Sequence, residues 1–208
     1  MDLFKILCKT GAMLMVLVMI IGCLAIVPND ASAASEDWVL EGEDTIERIA
    51  YASCELPDGR IFVVGGNNLT ASLITNETWL FDPQTSEWDQ VADCPLIIES
   101  SAAVAMPDGK VYLFGGMVSM TLITDLLIYD VATDTWSNGT ALPQNTIMWE
   151  AAAIDDEVIM LVGGLDGDLL SDTTAKCFLY NTANSTFYPA PDLPDDRFWG
   201  AMTVFGSY

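Results

Sequence analysis

Three Gly-Gly pairs, at 65–66, 115–116 and 163–164, stand 50 and 48 residues apart. Each closes an apolar run: 61–64, 111–114 and 159–162. A tryptophan precedes every pair by 27 residues, at Trp38, Trp88 and Trp136. A second aromatic precedes the tryptophan by seven, Phe81 before Trp88 and Tyr129 before Trp136. Tyr180 before Phe187 keeps the interval, with phenylalanine in the tryptophan position. Landmarks in fixed phase mark a repeat array, in which each unit buries its apolar faces by stacking on its neighbours.

Within the first unit, residues 50–56 and 60–64 are expected to be short strands joined at Pro57-Asp58-Gly59, and Pro107-Asp108-Gly109 recurs in the second. Proline presets φ and glycine supplies a left-handed position, so these are hairpin turns. Residues 77–82 and 87–91 predict a second hairpin around Asp82-Pro83-Gln84-Thr85-Ser86. Four strands in up-and-down order make one antiparallel blade. The runs ending in Gly-Gly lack polar alternation, so those strands are expected to be covered on both faces, as blades stacked around an axis require. The glycine pair is expected to let the backbone lie close under neighbouring aromatic rings.

A repeat near 49 residues with Gly-Gly, then an aromatic, then tryptophan resembles the kelch family over Trp38 to the C-terminus. The resemblance implies an all-β, kelch-type β-propeller of four-stranded antiparallel blades. Two departures leave it intact: Phe187 in place of tryptophan, and Asp155-Asp156-Glu157 where the other units turn at Pro-Asp-Gly. The units run over about 49–91, 99–138 and 149–190, with a partial unit at 197–208, so residues 34–208 read as three complete blades with partial blades at each end. The next Gly-Gly would fall near 214. Closed propellers have four to eight blades. The expectation is therefore a piece of a longer propeller, with oligomeric closure as the alternative. Open blade faces are expected to favour self-association.

The N-terminus carries Lys5 and Lys9, an uncharged apolar run over 11–27, and Ala31-Ser32-Ala33. Basic, apolar, small is the order of a secretory signal, which assigns residues 1–33 to a signal peptide. An uncleaved membrane anchor at 11–27 is one alternative. A lipoprotein box at Ile20-Ile21-Gly22-Cys23 is another, against which apolar 24–27 stands where a polar tether is usual. All three place the domain outside the cytoplasm, extracellular or at the cell surface.

The formal net charge of −23 comes from 30 acidic and seven basic residues. Such a surface repels phosphate backbones, which argues against nucleic acid as a partner, and it disfavours anionic lipid. A solubility surface and a cation-binding surface are the two readings of this charge. Cys54, Cys94 and Cys177 follow the signal without staple-like spacing and are expected to be buried free thiols.

The chain has no histidine. This removes Ser-His-Asp and Cys-His nucleophile systems and the common zinc and copper sites. The copper chemistry of galactose oxidase, which has a kelch-like propeller, needs histidine ligands and does not transfer. A sialidase clamps a carboxylate with several arginines; after the signal there are only Arg48, Arg60 and Arg197. Thr133-Asp134-Thr135-Trp136 echoes an Asp-box but sits in the phase of a kelch hairpin. Asp166-Gly167-Asp168 with Asp172 has the look of a calcium loop without the EF-hand ladder, and lies where an Asp-Gly turn is expected. Neither Asp155-Asp156 nor Asp195-Asp196 stands out as a glycosidase pair.

Glu99, Glu150 and Arg197 each open a unit's first strand, as axial ligand-pocket residues or as solvated charges. Sequons at Asn68, Asn76, Asn138 and Asn184 fall in loops or at their edges. No catalytic, cofactor-binding or metal-ligating residue is assigned. The expected function is an extracellular or cell-surface binding module that takes a protein or glycan at its loops. The alternative is a fragment of an exported propeller enzyme acting on carbohydrate, of sugar isomerase or oxidase type.

Overall fold

The runs that end in Gly-Gly are apolar at consecutive positions because both faces of each sheet are covered. In the computed structural model, Val111, Tyr112, Leu113 and Phe114 are all at most 3% exposed. Val111 and Leu113 face Phe62, Val64 and Leu80 of the preceding unit, whereas Tyr112 and Phe114 face Ile159, Leu161 and Tyr180 of the following one. Full burial of such a side chain is worth about 1.5–3 kcal/mol, so these two seams carry much of the stability.

The structure describes residues 48–69, 71–144, 146–166 and 172–204. The chain divides into residues 1–40 and 41–208, and the described residues belong to the second unit. The signal-peptide assignment, like the calcium-loop residues Gly167 and Asp168, lies outside them. No helix among the described residues is long and apolar enough to cross a membrane.

The first unit runs through β1 (Arg48–Ile49), β2 (Ala52–Glu55), β3 (Ile61–Val64), β4 (Asn67–Asn68), β5 (Leu73–Ile74), β6 (Thr78–Asp82) and β7 (Glu87–Val91). The second has β8 (Ala102–Ala105), β9 (Lys110–Phe114), β10 (Met117–Val118), β11 (Thr121–Leu122), β12 (Leu126–Asp130) and β13 (Thr135–Asn138). The third has β14 (Thr146–Ile147), β15 (Glu150–Ala153), β16 (Val158–Val162), β17 (Leu165–Asp166), β18 (Asp172–Thr173), β19 (Cys177–Asn181) and β20 (Thr186–Ala190).

Among the described residues three four-stranded antiparallel sheets result, in the orders β2-β3-β6-β7, β8-β9-β12-β13 and β15-β16-β19-β20. They have the expected form, all-β with four-stranded antiparallel blades. Both Pro-Asp-Gly turns close β-hairpins, with Gly59 and Gly109 at φ of 88° and 80°. The first strand of the first blade is shorter than expected: pairing starts at Ala52 and the turn already engages Leu56.

Aromatic phase becomes contact between blades. Tyr129 and Trp136 lie 5.1 Å apart on adjacent strands and rest on Phe62 at 5.3 and 6.1 Å. Tyr180 and Phe187 repeat the pair at 4.7 Å and meet Phe114 at 5.8 and 6.4 Å. Phe81 and Trp88 form the same pair at 4.9 Å in the first blade, with the Trp88 Nε1–H buried and unbonded.

What crowds the first glycine of each pair is backbone rather than an aromatic ring. A Cβ on Gly65, Gly115 or Gly163 would collide with the carbonyl oxygen of Ile98, Thr146 or Arg197, at the entry to the next unit. Positive φ at these positions adds a second reason for glycine.

Candidate binding groove along the blade axis

The first strand of each blade lies innermost, and its small side chains follow from that position. Ala52, Ser53, Ala102, Ala103 and Ala151 let β2, β8 and β15 converge without collision. Backbone bonds tie their entrances together. Ser100 N–H donates to the Ala50 carbonyl at 2.7 Å, and Met148 N–H donates to the Ser100 carbonyl at 3.1 Å. Each linking residue is left-handed: Ala50, Ser100 and Met148 have φ of 56°, 60° and 56°, and Trp199, in the same phase, has 53°. Left-handed backbone costs roughly 1–2 kcal/mol per non-glycine residue, and here it turns a carbonyl toward the next blade.

The converging strands enclose an open groove of about 540 Å3. Its floor is Ala and Ser from the three innermost strands, and its larger walls are Tyr51, Met148, Trp149 and Trp199. Tyr51 is 46% and Trp199 71% exposed, so two aromatic rings are available to a ligand. Glu150 is the one acidic residue in the lining and no lysine or arginine reaches it. Burial pushes the Glu150 carboxyl above its ordinary value, opposed by a hydrogen bond from the Gly200 backbone. A second hollow, of about 480 Å3, lies at the Pro-Asp-Gly end between Glu55, Pro107 and Asp155-Asp156.

The three charges singled out in the sequence are not equivalent in space. Glu150 opens β15 and lines the groove. Glu99 lies three residues ahead of β8, bridged to Met117 by paired backbone bonds of 2.8 and 3.1 Å, and burial raises its carboxyl. Arg197 is exposed, 4.0 Å from Asp195, while its carbonyl accepts the Gly164 N–H. The repeat phase explains the difference, since Glu99 corresponds to Ile147 and Glu150 to Ala102. Tyr51, Trp149 and Trp199 carry no sequence signal of their own. The recurrence of small residues at 52–53 and 102–103, 50 residues apart, is the signal that marks the groove wall.

The same end of the blades carries short ribbons that the sequence pattern does not announce: β1-β4-β5, β10-β11 and β14-β17-β18. They expose Ile49, Leu69, Leu73 and Met120, the last two at 65% and 74%.

Among the described residues Cys54, Cys94 and Cys177 are free thiols, Cys94 and Cys177 buried and Cys54 half-buried. Burial pushes the Cys54 thiol up to about 12 and the Cys94 thiol to about 11. The sequons separate by environment. Asn138 and Asn184 are exposed, Asn76 donates to the Cys94 carbonyl at 2.9 Å beside a fully buried Thr78, and Asn68 accepts from Ala71 N–H. Thr70 of the first sequon lies outside the described residues.

Stacked four-stranded blades, Gly-Gly wedges and an axial groove define a blade-repeat β-propeller protein. The chain belongs to the kelch-repeat family: residues 34–208 match the KLHDC2/KLHL20/DRC7 Kelch-repeats domain. It is 27% identical over 193 residues to Kelch-like protein terF of Aspergillus terreus, covering 85% of this chain and 42% of that protein. It is 32% identical over 137 residues to mouse Kelch-like protein 35, covering 65% and 22%. It is 24% identical over 132 residues to N-acetylneuraminate epimerase 1 of Escherichia coli, covering 60% and 34%. The chain thus spans less than half the length of these relatives.

Proposed function

We propose that this chain is a protein-interaction module of an exported kelch protein, without catalytic activity of its own. The observation that carries the reading is the ribbon end of the blades. There Leu73 and Met120 stand exposed on two successive units of a strongly acidic domain. Exposed apolar side chains on a strongly acidic domain suit a partner with an apolar patch set in basic surroundings. Export is supported by the Lys5–Lys9, apolar 11–27 and Ala31-Ser32-Ala33 sequence, and N-terminal sequencing of the secreted or surface form tests it.

The binding reading is tested by affinity capture from the surface fraction of the producing cell. A specific partner is expected with the wild-type chain, lost with Leu73→Asp/Met120→Asp and kept with Asp156→Asn. Equal retention by the double variant overturns the assignment of this face.

A second reading, an epimerase-like activity on sugar, is favoured by the 24% resemblance to N-acetylneuraminate epimerase 1. Against it, the groove offers a carboxylate and no cation to an acidic sugar. Epimerisation of N-acetylneuraminate followed by proton NMR decides: accelerated conversion by the purified chain replaces the non-catalytic reading.

A further inference from the structure

The axial groove has a composition that selects for one class of ligand. Its walls are Ala and Ser backbone-hugging side chains, its exposed large surfaces are aromatic, and Glu150 is its only acidic group. Tyr51 is the one other titratable side chain in the lining. A carboxylate in a partly desolvated hollow is costly unless a positive charge meets it. One acceptor position of Glu150 is taken by the Gly200 N–H, and about three remain on a carboxylate. A single carboxylate falls far short of the roughly six to eight oxygens a calcium ion takes. An anion is repelled both locally and by a net charge of −23.

Position strengthens the case. Gly200 packs against Glu150, a Cβ there standing 3.4 Å from its Cγ, Cδ and Oε1. Trp199 immediately precedes Gly200 and shares the groove lining with Glu150. Its ring packs against Phe198 at 5.4 Å and keeps an exposed face. Tyr51 enters from the first blade on the same rim. A cation facing an aromatic ring is attracted by the ring's negative face, more strongly where both are desolvated.

We propose that the axial groove binds an organic ammonium cation, its charge met by Glu150 and its alkyl groups by Trp199 and Tyr51. The protein-partner reading of the ribbon end stands or falls separately, since it uses Leu73 and Met120.

The test is calorimetric titration of the full chain with choline, at about 0.3 M NaCl to screen the general negative surface. Its neutral isostere 3,3-dimethylbutan-1-ol is titrated in parallel. Saturable choline binding is expected, with the isostere at least about tenfold weaker. Glu150→Gln, nearly isosteric, is expected to weaken choline about tenfold or more, and Trp199→Ala several-fold. Asp156→Asn, at the opposite end, is expected to leave affinity unchanged. Three results each overturn the proposal: no saturation by about 10 mM choline, equal binding of choline by Glu150→Gln, or equal binding of the neutral isostere.

Discussion

The Trp136 Nε1–H of the second blade donates to the Ala92 carbonyl, just past the last strand of the first blade, at 2.8 Å. Asp134 completes the clamp by accepting the Ala92 N–H at 2.8 Å, while also accepting the Tyr129 hydroxyl. The tryptophan of the repeat therefore acts at the junction as well as in its own sheet. Trp136→Phe keeps an aromatic ring against Phe62 but removes the donor and part of the buried ring, so it is expected to cost at least about 1–2 kcal/mol in chemical denaturation. Asp134→Ala is expected to cost about 1 kcal/mol, and the two losses to be non-additive because both act on Ala92.

Glycines with the same backbone sign should differ in cost. Gly109 has φ 80° and open space where a methyl group would stand, whereas Gly115 has φ 56° and faces the Thr146 carbonyl. Gly109→Ala is expected to cost about 1 kcal/mol, from φ alone. Gly115→Ala is expected to cost at least about 3 kcal/mol, from φ plus displacement of the next blade's entry. Equal costs in urea denaturation would refute the wedge.

Alkaline pH should unfold the domain early. The Cys54 and Cys94 thiols are raised by burial to about 12 and about 11, and the Tyr112 and Tyr129 hydroxyls are also raised, burial first and Asp108 or Asp134 second. Raised values mean that the folded state holds these protons more tightly than the unfolded chain. The stabilisation is complete below about pH 8.5 and is lost as pH climbs toward the folded values. A loss on the order of 2 kcal/mol by about pH 11 is expected for Cys54. Cys54→Ala should flatten this part of the stability–pH curve, and native thiol labelling at about pH 8 should be slow until denaturant is added.

Salt should stabilise. With 30 acidic and seven basic residues the compact state repels itself, and screening relieves this. The thermal midpoint is expected to rise by several degrees between about 0.02 and 0.5 M NaCl, and an unchanged or falling midpoint would show that the charges are locally compensated.

The blades are legible in the sequence because their signals are side-chain signals. Tryptophan phase, Pro-Asp-Gly turns and two-faced apolar runs each demand particular residues, and four-stranded antiparallel sheets form from them among the described residues. The groove is legible at Glu150 and in the small residues that recur at 52–53 and 102–103. Its entrance depends on left-handed backbone at Ala50, Ser100, Met148 and Trp199, four residue types with no shared chemistry, so no sequence pattern announces it. Glu99 and Arg197 look axial in the sequence for a related reason. Near a strand's start, a shift of two or three residues carries a side chain from the groove to a ribbon or to solvent, and composition there does not reveal the register. The ribbons are two residues deep, too short for alternation to register.

The carbonyl-to-amide relay from Ala50 to Ser100 to Met148 uses nothing but main chain. A junction of that kind is indifferent to which residues meet there. That contact would survive duplication, deletion or exchange of whole units, leaving the aromatic seams and the Trp136 clamp as the side-chain contacts that a new boundary has to match. Divergence is then free to concentrate on the exposed rings and ribbons, so that paralogues of different length share one architecture while their surfaces part company.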